Sequence, residues 1–221
     1  MQQIQQPLTS ARATSDIEEL WPIKTDFRPP GWSHYLKCSK NIIDLVKFPT
    51  ICDWQVAFSK RPELAGYKLQ MQNTLSKRER RTFKNRTGLT PLGYYLNSIV
   101  NTKEVLFRPD NWHDFFNNLV WISFPTTKIT LHRLAFQYYT NRNGNGNRQP
   151  EEDLLTRFDE GGSIEYGGPK TRTNIIFGHG FLEALFFQKA KQTSPLKINL
   201  AIKTPSTEAI DLVLADFISK V

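Results

Sequence analysis

Apolar side chains recur at three- and four-residue steps in several segments of the chain, and this spacing places them on one face of an α-helix. The clearest segment is 111–124, which ends before Pro125. Its apolar face carries Trp112, Phe115, Phe116, Leu119 and Val120. Pro125 suits the first position of another helix, which is predicted over 126–139. The same pattern predicts further helices over 39–48, 51–59, 175–189 and 206–218.

A different pattern, in which apolar and polar residues alternate, predicts β-strands. It occurs over 67–72 and 196–202, and a hairpin is predicted from 92–100 and 105–107. The segment 154–165 is interpreted as a short strand that delivers Asp159 and Glu160 to a Gly-Gly turn. Together these elements predict an α+β fold, with a single domain over 31–221 and a mainly antiparallel sheet covered by helices.

Two segments are expected to lie outside the packed elements. Residues 1–30 are polar, with Gln-rich and Pro-containing ends, and are interpreted as an N-terminal arm. Residues 141–150 have the sequence NRNGNGNRQP, in which the alternation of Asn with Gly predicts a flexible loop. Because no Gly-Lys-Ser or Gly-Lys-Thr follows, this segment does not match a phosphate-binding loop.

The composition is that of a folded protein with an excess of basic residues. Of the 221 residues, 39% are hydrophobic and 12% are aromatic, which is sufficient for a hydrophobic core. The formal net charge of +8 at pH 7 favours anionic partners, such as nucleic acid or a phosphate-bearing substrate. The alternative is a basic protein whose charge serves only its solubility.

The cellular location is inferred from the cysteines and from the lack of targeting patterns. Cys38 and Cys52 are the only cysteines and lack metal-type spacing, which suits a reducing compartment. No signal-peptide pattern opens the chain, and the longest apolar run, 175–187, is too short to span a bilayer. We therefore expect a cytoplasmic protein without an integral membrane segment. Secretion by a route that needs no N-terminal signal is the alternative.

Basic side chains are concentrated in the segment 76–86. They are Lys77, Arg78, Arg80, Arg81, Lys84 and Arg86. Each contact between such a side chain and a nucleic-acid phosphate would add affinity that falls with salt. The segment is therefore a candidate nucleic-acid-binding site, and the alternative is a solvated charged face without a ligand.

Four segments offer polar side chains of the types that bind metals and transfer protons. The pairs are His113 with Asp114, His132 with Lys128, His179 with Glu183, and Asp159 with Glu160. If the predicted helices pack on one sheet, these groups meet in one cleft. The candidate catalytic residues are His113, Asp114, Asn117, Lys128, Asp159, Glu160 and His179.

Three interpretations of this cluster are open. In the first, a divalent metal ion is bound by His113, Asp159, His179 and Glu183. In the second, no metal binds: His113 is a general base oriented by Asp159 or Glu160, and Lys128 stabilises an anion. In the third, the cluster is a buried polar network without chemistry. Zinc motifs such as HExxH or paired CxxC do not occur in the sequence.

Several of these residues lie in sequence strings that resemble a known family. The strings are NWHDFFN, FPTTK, FDEGG and FGHG, which lie between residues 111 and 180. They resemble a bacterial domain-of-unknown-function family, the one numbered three thousand and twenty-five. The resemblance covers roughly 51–183 and implies that the seven candidate catalytic residues lie at motif positions. It implies no activity, because none is known for the family.

Three classes of function follow from these observations. The first is an enzyme, with hydrolysis of an anionic or phosphate-bearing substrate as the favoured reaction, because His, Asp, Glu and Lys occur together on a basic chain. The second is a non-enzymatic nucleic-acid-binding protein that uses 76–86. The third is a protein-interaction module that is anchored through Trp and Phe side chains. The sequence does not predict the oligomeric state.

Overall fold

The structure is a computed structural model that describes residues 27–72, 88–142, 146–169, 171–188, 195–202 and 206–221. These ranges contain eight α-helices and five β-strands, which confirms the predicted α+β class. The helices are α1 (Trp32–Ile43), α2 (Ile51–Ser59), α3 (Pro91–Val100), α4 (Trp112–Ser123), α5 (Pro125–Asn141), α6 (Pro150–Gly161), α7 (His179–Phe186) and α8 (Thr207–Ile218). The strands are β1 (Lys68–Met71), β2 (Glu104–Phe107), β3 (Gly162–Tyr166), β4 (Thr173–Ile176) and β5 (Leu196–Leu200).

The strands form two small sheets that are not mainly antiparallel, so this part of the fold prediction is wrong. In the first sheet β1 and β2 are parallel, with Lys68 opposite Glu104 and Met71 opposite Phe107. In the second sheet β3 lies in the centre, antiparallel to β4 and parallel to β5. Parallel neighbouring strands need a long connection, which usually contains a helix. Along the chain, α3 lies between β1 and β2, and α7 lies between β3 and β5, so both parallel pairs have such a connection.

Helix α3 occupies the segment that was predicted as the first strand of a hairpin. Thr90 caps this helix by accepting a hydrogen bond from the Gly93 N–H at 3.2 Å, and Pro91 is its first residue. Leu96 and Ile99, which are three residues apart, are buried. The local helix signals therefore outweigh the pattern that predicted a strand over 92–100, and β2 pairs with β1 instead.

Helix α6 corrects the second strand prediction, because the chain is helical over most of this segment and β3 begins only at Gly162. The helix has a reciprocal cap, in which the Gln149 N–H donates to Glu152 Oε2 at 2.9 Å. Asp159 and Glu160 therefore lie on the last turn of a helix. They do not lie at the end of a strand, as the sequence pattern suggested.

Two predicted helices have different boundaries in the structure. The segment 175–189 begins as strand β4, and α7 starts only at His179. A buried strand gives an apolar run that periodicity cannot distinguish from a buried helix. Helix α1 begins earlier than the predicted range 39–48 and ends at Ile43.

Helix α4 lies in the hydrophobic core, and its prediction is confirmed. Every residue of α4 except His113 is buried, and Phe115, Phe116 and Trp121 have no exposed surface. Helix α5 follows directly at Pro125, also as predicted. The one residue of α4 that is not buried is therefore a histidine.

Several predicted features fall outside the described residues. These are residues 1–26 of the N-terminal arm, the basic segment 76–86 and residues 143–145 of the predicted loop. Helix α5 continues through Asn141, so this loop begins later than expected. Within the described ranges, no helix combines the length and the apolar character that crossing a bilayer requires.

Candidate metal centre

His113 lies in the first turn of α4, at the edge of the core. The Asn111 side chain caps this turn, since its oxygen accepts the Asp114 N–H at 3.0 Å. Asp114 also binds Arg108 at two points, with an Nη2–Oδ1 distance of 2.6 Å and an Nε–Oδ2 distance of 3.0 Å. These contacts fix the start of α4 and leave the His113 side chain 33% exposed.

His179 is the first residue of α7, and a close backbone contact brings it beside α6. The Gly178 N–H donates to the Gly162 carbonyl oxygen at 2.9 Å. A Cβ atom on Gly178 would lie 2.5 Å from Gly161 Cα, so this approach requires glycine. The start of α7 therefore lies against the end of α6, where Glu160 is located.

The two imidazoles face each other across this contact. His113 Nε2 and His179 Nε2 are 3.1 Å apart, and Glu160 Oε1 lies 3.5 Å from His179 Nε2. One potential ligand atom of each residue lies within 4.8 Å of the other two. Helices α4, α6 and α7 thus bring two nitrogen donors and one oxygen donor to one point.

The second nitrogen of each imidazole contacts a hydrogen-bond acceptor. His179 Nδ1 lies 2.8 Å from the backbone carbonyl oxygen of Asp159, and His113 Nδ1 lies 2.9 Å from Glu183 Oε2. Since a carbonyl and a carboxylate oxygen only accept, both Nδ1 atoms carry a proton and donate it. In the neutral rings each Nε2 then has a free lone pair, and the two lone pairs face each other.

The charges around the cluster shift two pKa values. The hydrogen bond from His113 to Glu183 raises the pKa of the imidazole, and the charge of Glu160 adds to this effect. Burial by itself would raise the pKa of Glu160, but the neighbouring His179, together with the positive charge that His179 and His113 carry when they are protonated, lowers it. Glu160 is therefore a carboxylate at neutral pH, with its side chain 50% exposed.

A buried ion pair lies behind His179. Lys128 has no exposed surface, and its Nζ donates to Asp159 Oδ1 at 2.6 Å and to Asn117 Oδ1 at 2.8 Å. Burial alone would raise the pKa of Asp159, but Lys128 and the neighbouring imidazoles hold it well below its ordinary range. Because His179 donates to the backbone of Asp159, the ion pair helps to fix the position of this imidazole.

His132 and Tyr95 continue this network. His132 Nδ1 donates to the Lys128 carbonyl oxygen at 2.7 Å, so its Nε2 accepts from the Tyr95 hydroxyl at 3.2 Å. Burial lowers the pKa of His132 to about 4 and raises the pKa of Tyr95. Both rings are therefore neutral near pH 7.

The cluster opens onto a cleft of about 230 Å³. Its lining combines apolar side chains, three imidazoles and both signs of charge. It consists of Gln72, Leu92, Tyr95, Leu96, Leu106, Arg108, His113, Asp114, Asn117, Leu131, His132, Ala135, Arg148, Glu152, Thr156, Asp159, Glu160 and His179.

With the exception of Asp114, the candidate catalytic and metal-binding residues from the sequence fall into two groups in the structure. The group around the facing Nε2 atoms consists of His113, Glu160 and His179. The group behind the imidazoles consists of Asp159, Asn117, Lys128 and Glu183. Asp114 belongs to neither group, since its carboxylate binds Arg108. The carboxylate at the Nε2 atoms is therefore that of Glu160, which was not among the four ligands considered for a metal.

Tyr95 and Arg108 are among the residues that line the cleft and are missing from the candidates that the sequence provides. The signal for Tyr95 is the Thr90-Pro91 pair, which is typical of a helix start and places Tyr95 on that helix. No local sequence pattern predicts that Arg108 lines the cleft, because the position of its side chain depends on the ion pair with Asp114.

Comparison with known proteins gives weak structural similarities and no curated relative. The chain is similar to a cold active phenylalanine hydroxylase from Colwellia psychrerythraea 34H, with 12% identity, a TM-score of 0.49, and coverage of 95% of this chain and 82% of that one. It is also similar to a phenylalanine hydroxylase from Legionella pneumophila, with 12% identity, a TM-score of 0.40, and coverage of 94% and 86%. These values are too low to transfer a fold or an activity. No curated protein matches the sequence.

A family described as "Protein of unknown function (DUF3025)" matches residues 82–170. This range includes His113, Lys128 and Glu160 and ends before His179. The resemblance that the sequence strings indicate is thereby confirmed over residues 82–170, and the family that this part of the chain matches is one of unknown function.

Proposed function

We propose that this protein is a metal-dependent enzyme, with a divalent ion bound by His113 Nε2, His179 Nε2 and a carboxylate oxygen of Glu160. The observation that carries the proposal is the 3.1 Å contact between two Nε2 atoms whose rings already donate through Nδ1. Two lone pairs repel each other at this distance unless a cation or a proton lies between them. Glu160 places a negative charge beside them.

The distances between the donor atoms suit a metal ion. With metal–ligand bonds of 2.0–2.1 Å at tetrahedral angles, neighbouring ligand atoms are about 3.4 Å apart. The distances of 3.1 Å between the Nε2 atoms and 3.5 Å from His179 to Glu160 lie on either side of this value. Each imidazole also donates its other N–H to a carboxylate or a carbonyl, as metal-binding histidines usually do.

The surroundings of the three residues favour catalysis over a structural role. Three protein ligands leave coordination positions open, which is characteristic of catalytic metal sites, and all three residues line the cleft. A divalent ion bound there would polarise a water molecule or a substrate oxygen. Zinc hydrolases and non-haem iron(II) enzymes both use two histidines with one carboxylate, so the identity of the metal decides the reaction class. Hydrolysis is our working hypothesis for a zinc-loaded site.

Metal affinity is the direct test of this proposal. Metal-free protein is titrated with Zn²⁺ by calorimetry and with Co²⁺ by absorption spectroscopy, which reports the coordination. We expect one ion per chain, and a loss of affinity of at least about tenfold in His113→Ala and in His179→Ala. His34→Ala is the matched control, because His34 contacts Thr207 and Tyr166 and does not line the cleft.

The proposal is wrong if the wild-type protein binds neither ion, or if the two cleft variants bind them as tightly as the His34 variant. His113 and Glu183, in contact at 2.9 Å, would then form an acid–base pair without a metal. Binding of nucleic acid through 76–86 is a separate prediction, because that segment lies outside the described residues.

A further inference from the structure

One wall of the cleft is apolar, although the proposed metal ligands lie in the same cleft. It is formed by side chains from α3, β2 and α5, namely Leu92, Leu96, Leu106, Leu131 and Ala135. Leu92 is 38% exposed, so part of this wall contacts solvent. An apolar ligand group that covers the wall removes this surface from water, which favours binding.

Arg108 lines the same cleft with part of its hydrogen-bonding capacity unused. Its Nε and Nη2 atoms donate to Asp114, which fixes the plane of the guanidinium. Among the described residues, Nη1 has no hydrogen-bond partner, and the side chain is 43% exposed. The edge formed by Nη1 and Nη2 matches the two oxygen atoms of a carboxylate.

The volume and the charge of the cleft restrict the ligand further. The volume of about 230 Å³ is below the range of about 300–1,000 Å³ that is usual for drug-sized ligands, so the cleft is better matched to a smaller ligand than to a whole nucleotide. Only two arginines, Arg108 and Arg148, line the described cleft. They are accompanied by the carboxylates of Asp114, Glu152, Asp159 and Glu160. This excess of carboxylates disfavours a polyanion such as a phosphate ester, so the ligand carries at most one negative charge, placed at the free edge of Arg108.

We infer that the cleft binds a small monocarboxylic acid, with its carboxylate on Arg108 and its apolar body against the leucine wall. This inference deepens the proposed function and rests on it for the reaction, since Arg108 and His113 line one cleft. It does not rest on the metal for binding, because neither the arginine nor the leucines are proposed metal ligands.

Three probes separate the contributions of charge and apolar surface. They are 3-phenylpropanoate, 3-phenylpropan-1-ol and inorganic phosphate, and each is titrated by calorimetry into metal-free and zinc-loaded protein. We expect the acid to bind about ten- to a hundredfold more tightly than the alcohol, because a hydrogen bond to a charged group contributes that much. Phosphate, which has no apolar body, should not displace the acid.

Arg108→Gln should reduce the affinity for the acid to that for the alcohol, with the affinity for the alcohol unchanged. The matched control is Arg133→Gln, because Arg133 is exposed and does not line the cleft. The comparison of acid with alcohol in the wild-type protein tests the inference even if the Arg108 variant does not fold.

The inference is overturned if the acid and the alcohol bind equally, if a folded Arg108→Gln protein keeps its preference for the acid, or if phosphate displaces the acid. A zinc titration of the same samples distinguishes the two proposals. Acid binding without zinc binding supports this inference and refutes the metal site. Zinc binding without any preference for the acid over the alcohol supports the metal site and refutes this inference.

Discussion

Replacing Lys128 with methionine is expected to destabilise the protein strongly, because it leaves a buried carboxylate without its counter-charge. Lys128 is fully buried, and its Nζ lies 2.6 Å from Asp159 Oδ1, with Asp159 only 9% exposed. Removing one partner of such a pair costs about 3–5 kcal/mol of unfolding free energy. In a chain of 221 residues, where 1 kcal/mol corresponds to about 2–4 °C, the expected decrease in Tm is about 6–20 °C. Methionine has a similar length, so the lost charge is the main change.

Urea denaturation at pH 7, followed by circular dichroism, measures this loss. Lys220→Met is the matched control, because Lys220 Nζ also lies 2.6 Å from a carboxylate, that of Asp216, but the two side chains are 70% and 66% exposed. An exposed pair contributes at most about 1 kcal/mol. The double variant Lys128→Met/Asp159→Asn removes both charges and should recover more than about 1 kcal/mol of the loss.

Two results would refute this reasoning. The first is a loss of stability in Lys128→Met no larger than that in Lys220→Met, which would mean that burial of the pair is without consequence. The second is a double variant as unstable as Lys128→Met, which would mean that the uncompensated charge of Asp159 is not the cause. Either result would also remove the ion pair as a support for the position of His179.

Two further predictions concern pH and backbone packing. The free energy of unfolding should fall as the pH decreases from 6.5 to 4, because burial lowers the pKa of His132 to about 4 and its ordinary value is 6.5. The neutral, buried His132 thereby contributes about 3 kcal/mol to the free energy of unfolding, and this contribution is fully present above pH 6.5. Urea midpoints measured from pH 6.5 to pH 4 should decrease less in His132→Phe than in the wild-type protein, because the variant lacks this titration. Gly178→Ala should lower the unfolding free energy by about 1–3 kcal/mol and weaken zinc binding, since the added Cβ would lie 2.5 Å from Gly161 Cα. Gly161→Ala is its control, because a Cβ there meets no atom within 4 Å, and equal effects in both variants would contradict this explanation.

The accuracy of the fold prediction depended on whether local signals and hydrophobic pattern agreed. For α2 they agree, because Thr50 accepts the Asp53 N–H in a capping box, and the helix spans Ile51–Ser59 as predicted. For α4 they agree again, because the apolar face ends just before Pro125. For α3 they conflict, because the hydrophobic pattern was interpreted as a strand, whereas Thr90 and Pro91 favour a helix. The capped helix formed.

Strand pairing could not be predicted in the same way. Nothing within β1 determines that its partner is β2 or that the two strands are parallel, because that choice depends on how the intervening helix packs. The same holds for β3, which lies between an antiparallel and a parallel neighbour. The sequence therefore determined the class of the fold, and packing between distant segments decided the topology of the sheets.

The candidate site shows the same division. The sequence by itself determined that His113, Glu160 and His179 are available, with Glu160 before a Gly-Gly turn and His179 between two glycines. Only the tertiary structure decided that Glu160, and not Asp159 or Glu183, lies at the facing nitrogen atoms. The physical reason is that each ring is oriented by an acceptor far away in the sequence: Asp159 is 20 residues from His179, and Glu183 is 70 residues from His113. Local patterns carry no information about contacts over such separations, which form only when the helices pack.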